Sequence, residues 1–111
     1  MNEKQYHRLA AAPKKIMDIN PEKDVRIRIL GRVIDKHDGT IVVDDGSSTA
    51  QIVTDGESTD AKGVIRPCEV DDVVCVFARV LPLEDGYELR GEIVQVKNAL
   101  DMGLYKKVYG E

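Results

Sequence analysis

The stretch Val25-Arg26-Ile27-Arg28-Ile29-Leu30-Gly31-Arg32-Val33-Ile34-Asp35 alternates with a period of two. Val25, Ile27, Ile29, Gly31 and Val33 share one face, and Arg26, Arg28, Leu30, Arg32 and Ile34 share the other. This is the pattern of a strand with one face in a core. Gly31 interrupts it in mid-strand and marks a sharp bend or bulge. A strand bent there can pair with two different neighbours around a corner, which is what closing a small barrel requires.

Working outward, Thr40–Asp44 and Ala50–Thr54 read as two more strands, joined by the Gly-containing connection Asp45-Gly46-Ser47-Ser48. Asp72–Leu81 is a fourth, with Val74, Val76, Ala78 and Val80 inward and Val73, Cys75, Phe77 and Arg79 outward. After a turn over Pro82–Gly86, Tyr87–Val96 is a fifth. In it Tyr87, Leu89, Gly91 and Ile93 alternate with Glu88, Arg90 and Glu92. The parity then changes at Val94 and Val96, which predicts a bulge near Ile93. The intervening segment 55–69 is polar and irregular, with room for a helical turn. Five short strands expose fewer edges when closed into a barrel.

The flanks read differently. Asn2–Ala12 predicts a short helix stopped by Pro13, and Asn98–Tyr109 a C-terminal helix opened by a capping-box variant of Asn98 and Asp101. The sequence therefore divides into an N-terminal extension (1–15), a barrel (16–97) and a C-terminal helix (98–111).

Composition narrows the function. The chain has 111 residues, enough for one domain, and a formal net charge of −4. That excludes a binder relying on bulk positive charge. The charge is uneven: residues 1–36 carry nine Lys and Arg against five acids, and residues 37–72 carry two against nine. No apolar run approaches a membrane span, no secretory leader is visible, and the two cysteines suit a reducing compartment. The expected location is cytoplasmic, at the nucleoid, or nuclear in a eukaryote. Phosphate-binding and nucleophile motifs are missing. His7 and His37 lack companions at zinc-ligand spacing, and the acids Asp44, Asp45, Asp55, Glu57 and Asp60 follow no calcium-loop pattern. The expectation is no enzyme, no cofactor and no metal.

The segments Ile16–Val33, Val43–Val53, Val70–Val80 and Glu84–Ile93 together resemble the OB-fold of archaeal-type replication protein A. The resemblance spans roughly residues 16–109. A lone barrel followed by one helix is most similar to that family's middle and small subunits. It implies a five-stranded Greek-key OB barrel that assembles through its C-terminal helix, either with other OB-fold subunits of a single-stranded-DNA-binding complex or as a homo-oligomer. Ala78 stands where the family often has Gly, and segment 55–69 lacks the family's clear helix.

Single-strand binding needs cations along a groove and aromatic faces for stacking. Candidate contacts are the same-face row Arg26, Arg28 and Arg32, with Arg79 and Arg90 extending it, Phe77 on the outer parity of the fourth strand, and Lys36 in the loop after the first strand. With one Phe, four Tyr and no Trp, and Tyr87 on the core parity, the stacking platform is thin, so contact with DNA is expected to be weak. The candidate partner contacts lie on the C-terminal helix. At about 100° per residue, Leu100, Leu104 and Val108 form one stripe and Met102, Tyr105 and Tyr109 a second. A helix docked on its own barrel needs only one. Three readings follow: an accessory subunit, a protein-interaction OB module with no nucleic-acid role, and, remotely, a metal-assisted hydrolase on the acidic loops.

Overall fold

The computed structural model describes residues 11–60 and 62–98. In chain order these form β1 (Ala12–Pro13), a 3-10 turn (Ile16–Asp18), β2 (Arg26–His37), β3 (Thr40–Asp44), β4 (Thr49–Val53), β5 (Glu57–Thr59), β6 (Ile65–Pro67), β7 (Val73–Leu83) and β8 (Gly86–Val96). Most of the predicted C-terminal helix, with Leu100, Met102, Leu104, Tyr105, Val108 and Tyr109, lies outside the described residues, as do residues 2–10 of the predicted N-terminal helix.

Strand β2 bends as its sequence predicts. Its first half, Arg26–Arg32, pairs antiparallel with β7, and its second half, from Arg32, pairs antiparallel with β3. Strand β3 pairs with β4, β4 runs parallel to β8 at Ile52–Val53, and β8 pairs with β7 over its whole length. The circuit β2-β3-β4-β8-β7-β2 closes a five-stranded barrel. The switch between neighbours falls at Gly31, where a Cβ would lie 2.5 Å from Val43 Cγ1 and 2.7 Å from the Asp44 carbonyl oxygen. Only glycine permits that approach. Ile34 is an extra residue in the β2–β3 ladder, and Glu92 an extra residue in the β7–β8 ladder, one place from the predicted Ile93. Strands β2 and β3 meet through Asp38–Gly39, both at positive φ, which matches the right-handed twist of the flanking strands.

The inward residues pack as one core: Ile27, Ile29, Val33, Ile41, Val43, Ile52, Val74, Val76 and Leu89 are fully or almost fully buried. Ile16 plugs one end, and Tyr87 packs partly against the core. Two buried carboxylates fasten the ends. Asp45 accepts hydrogen bonds from the Ile16 amide (2.7 Å), the Ser47 amide (2.8 Å), the Ser47 hydroxyl (2.7 Å) and the Ser48 amide (3.1 Å). Asp72 accepts from the Glu69 amide (2.9 Å), Asn98 Nδ2 (3.0 Å) and the Arg66 guanidinium (3.2 Å).

Several expectations need correction. Segment 55–69 contains the antiparallel hairpin β5–β6, not a helical turn; β5 also touches β8 in parallel at Thr59 and Gln95. Ala12 and Pro13 pair in parallel with Ile27 and Arg28 along β2 and are not helical. Pro82 and Leu83 belong to β7, so the turn to β8 is only Glu84–Asp85. The Asn98 side chain reaches back to β7: Oδ1 accepts from the Val73 amide at 2.7 Å while Nδ2 donates to Asp72; its expected capping partner, Asp101, lies outside the described residues.

Two outcomes are expected. Gly31→Ala forces Val43 and the β3 backbone apart and lowers stability by about 2–3 kcal/mol in urea denaturation. An unchanged midpoint contradicts the close approach. Burial pushes the Asp45 and Asp72 carboxyls up, but their hydrogen bonds outweigh it and leave both below the ordinary 3.8. Such groups stabilise fully above the unfolded value, and lose that contribution as the pH falls through the folded one. Stability should therefore fall below about pH 5. Asp45→Asn should be less stable than the parent at neutral pH and lose less on acidification.

Candidate nucleic-acid and partner interface

The closed ladder places six of the seven candidate contacts on one surface. Across β2, β7 and β8, Arg26 stands opposite Arg79 and Arg79 opposite Arg90. In the next outward row Arg28 faces Phe77 and Phe77 faces Ile93. Leu30, Cys75 and Gln95 form the row beyond, and Arg32 lies opposite Val73. The outer face of β2–β7–β8 is thus an apolar centre with arginines at both ends. Phe77 is half-buried and Ile93 is 50% exposed. Cys75 and Val73 are buried although they point outward, and burial pushes the Cys75 thiol up, with Arg28 and Lys97 opposing it.

Three like charges in directly opposed positions repel, and two acids relieve the ends of the row. Arg26 Nε donates to Glu92 at 3.2 Å, and Arg90 Nε to Glu88 at 2.6 Å. Arg79, in the middle, has no ion pair among the described residues. Arg28 has none either, and its Nε is buried without a hydrogen-bond partner among the described residues. Arg32 donates to the Asp71 carbonyl at 3.0 Å. Glu92 and Ile93 were not nominated from sequence. The bulge brings both to this surface, and the parity change at Val94 was its only trace.

Lys36 stands apart. It lies in β2 and not in a loop, and its Nζ donates to the Cys68 carbonyl at 2.9 Å and to Glu69 at 3.1 Å. It ties the end of β2 to the segment before β7.

OB-folds commonly bind oligonucleotides on the face of their second and third barrel strands, between the two adjoining loops. Here that face is the outer side of β3 and β4: Thr40, Val42, Asp44, Thr49, Gln51 and Val53, flanked by Asp35 and His37 of β2. Strands β3 and β4 give it no Phe, Tyr, Lys or Arg; Arg32 of β2 borders it opposite Asp44, and the His37 imidazole borders it opposite Thr40. The two loops are the two-residue turns Asp38–Gly39 and Glu84–Asp85, both acidic and too short to wrap a strand. Arg26, Arg28, Arg79 and Arg90 face elsewhere. Among the described residues, no group of three or more His, Cys, Asp or Glu is placed to hold a metal ion.

The expected outcome follows from the crowded row. Arg79→Glu, set between Arg26 and Arg90, should raise stability by about 0.5–1 kcal/mol, read as a higher urea midpoint. A lower midpoint would show that the row is not repulsive.

No family model matches the chain, and no curated protein matches it. Solved structures do. The telomere capping protein Ten1 from Saccharomyces pombe superposes with a TM-score of 0.65 at 20% identity, covering 89% of this chain and 93% of that one. The S. pombe Stn1–Ten1 complex gives the same TM-score and identity, covering 89% of this chain and 88% of that one. With the barrel circuit above, the likeness fixes the architecture: the chain is an OB-fold.

Proposed function

We propose that this chain is an accessory OB-fold subunit of a replication-protein-A-like single-stranded-DNA-binding complex, non-catalytic, assembling with another OB-fold subunit and adding a modest contact to the strand. The observation that carries this reading is the division between the barrel's two surfaces. The strands of the usual ligand face carry an acid and no Phe, Tyr, Lys or Arg, while the β2–β7–β8 face gathers Arg28 and Arg79, both without ion pairs among the described residues, around Phe77 and Ile93. Apolar centres with arginine rims are typical of protein interfaces. The likeness to Ten1, found alone and in a complex with Stn1, supports an assembling role.

Assembly is assigned to the helix expected over 98–109. Asn98, where that helix begins, is held by Val73 and Asp72 at the Arg32–Val73 end of this face. Two apolar stripes on one helix leave Met102, Tyr105 and Tyr109 for a partner's helix. The arginines then extend the strand's track beside the joint. The second reading, a protein-interaction module with no nucleic-acid role, is favoured by the acidic β3–β4 face.

The test has two arms. For assembly, Tyr105→Asp with Tyr109→Asp should abolish co-purification of the partner and leave the barrel folded. A monomeric wild type with no partner that the double variant loses contradicts it. For DNA, oligo-dT should bind the wild type with a Kd of about 10–100 µM, and Arg28→Glu with Arg79→Glu should lower the salt slope by about 0.7 per lost contact. Identical slopes leave the interaction-module reading.

A further inference from the structure

The barrel wall has a gap. Strand β4 leaves β8 after Val53 and Arg90, and β5 meets β8 again only at Thr59 and Gln95. Between those points Gly91, Ile93 and Val94 pair with β7 on one side, with Glu92 as the bulge, and Gly91–Val94 have no ladder partner on the other among the described residues. The space beside them is a groove of about 570 Å³, walled by Val53, Thr54 and Asp55 and by Glu57–Thr59 and Ile65. An unpaired strand edge is a template for another strand.

The lining states what would fit. Val53, Ile65 and Ile93, exposed by 36%, 64% and 50%, converge on this groove. Its charged residues are Asp55, Glu57, Arg90 and Glu92. Arg90 is engaged by Glu88 and Glu92 by Arg26. That leaves Asp55 and Glu57 without a cation among the described residues; one Asp55 oxygen accepts the Glu57 amide at 2.9 Å. Two uncompensated carboxylates repel a phosphate backbone and attract Lys or Arg.

We propose that this gap docks a short extended segment of a partner protein in which aliphatic residues are flanked by Lys or Arg. The segment's backbone bonds to the free edge at Gly91–Val94, an aliphatic side chain sits on Val53, Ile65 and Ile93, and its cations meet Asp55 and Glu57. Main-chain bonds supply affinity and side-chain pockets specificity in such strand addition. The free edge spans about 13 Å at the rise of a strand, the length of three or four residues. The bulge at Glu92 breaks the regularity of β8 and holds the occupant to that length. The groove borders the arginine face at Arg90, Glu92 and Ile93 and does not depend on that face's role.

The probe is a blocked pentapeptide of alternating lysine and valine, titrated into the full-length, isotope-labelled chain and followed by amide NMR. Saturable shifts are expected at Gly91–Val94 and Thr54–Thr59. They should weaken at least tenfold when lysine is replaced by glutamate in the peptide, or when Asp55→Lys and Glu57→Lys are combined in a protein whose spectrum stays dispersed. The proposal is overturned by no saturable shift up to about 5 mM peptide, by shifts confined to other surfaces, or by equal binding of the glutamate peptide. Concentration-dependent broadening at the same amides without peptide would place a second copy there and overturn it as well.

Discussion

Everything in this barrel depends on one strand serving two neighbours. Strand β2 gives its first half to β7 and its second half to β3, and the exchange happens where Gly31 lets Val43 and the Asp44 backbone come within 3 Å of where a side chain would begin. Without that approach the sheet stays open, and its inner apolar faces have nothing to pack against. The carboxylates of Asp45 and Asp72 act on the same closure from the two ends. One collects the amides of the β3–β4 turn and of Ile16; the other collects the segment before β7 and the side chain of Asn98. A small barrel has few residues to bury, so hydrogen-bonded acids that fix its ends weigh heavily against the chain's entropy.

The barrel was legible because period-two alternation is a direct image of a half-buried strand. Ile27, Ile29 and Val33, then Val74, Val76, Ala78 and Val80, are buried as their parity requires. The bend at Gly31 and the bulge beside Ile93 were legible for a related reason: a glycine in mid-strand and a slipped parity each leave a mark. Segment 55–69 was not, because β5 and β6 have three residues each, too few for any period to declare itself. The contacts of Asn98 with Val73 and Asp72 were not legible either, because a bond to a strand distant in sequence leaves no local signature. Long-range partners such as Lys36 with Cys68 carry no local signal at all.

The candidate surface was half legible. Alternation put Arg26, Arg28 and Arg32 on one side of their strand, and Arg79 and Phe77 on the outside of theirs. It could not say that these sides are adjacent. The ladder makes them so: Arg26, Arg79 and Arg90 fall into register, and Phe77 lies between Arg28 and Ile93. The sequence also offered no reason to separate this surface from the usual OB ligand face. The separation arises because β3 and β4 are short and polar outside, and their adjoining loops are the minimal Asp38–Gly39 and Glu84–Asp85 turns.

That separation is the centre of the functional account, and hydroxyl-radical footprinting reads it directly. The chain is compared free and after recovery with its native partner, with and without oligo-dT. The account predicts that oxidation of Phe77 falls in the assembled state while His37 and Val42, on the β3–β4 face, react as in the free chain. Protection of His37 and Val42, with Phe77 unchanged, would return the function to the β3–β4 face and contradict it.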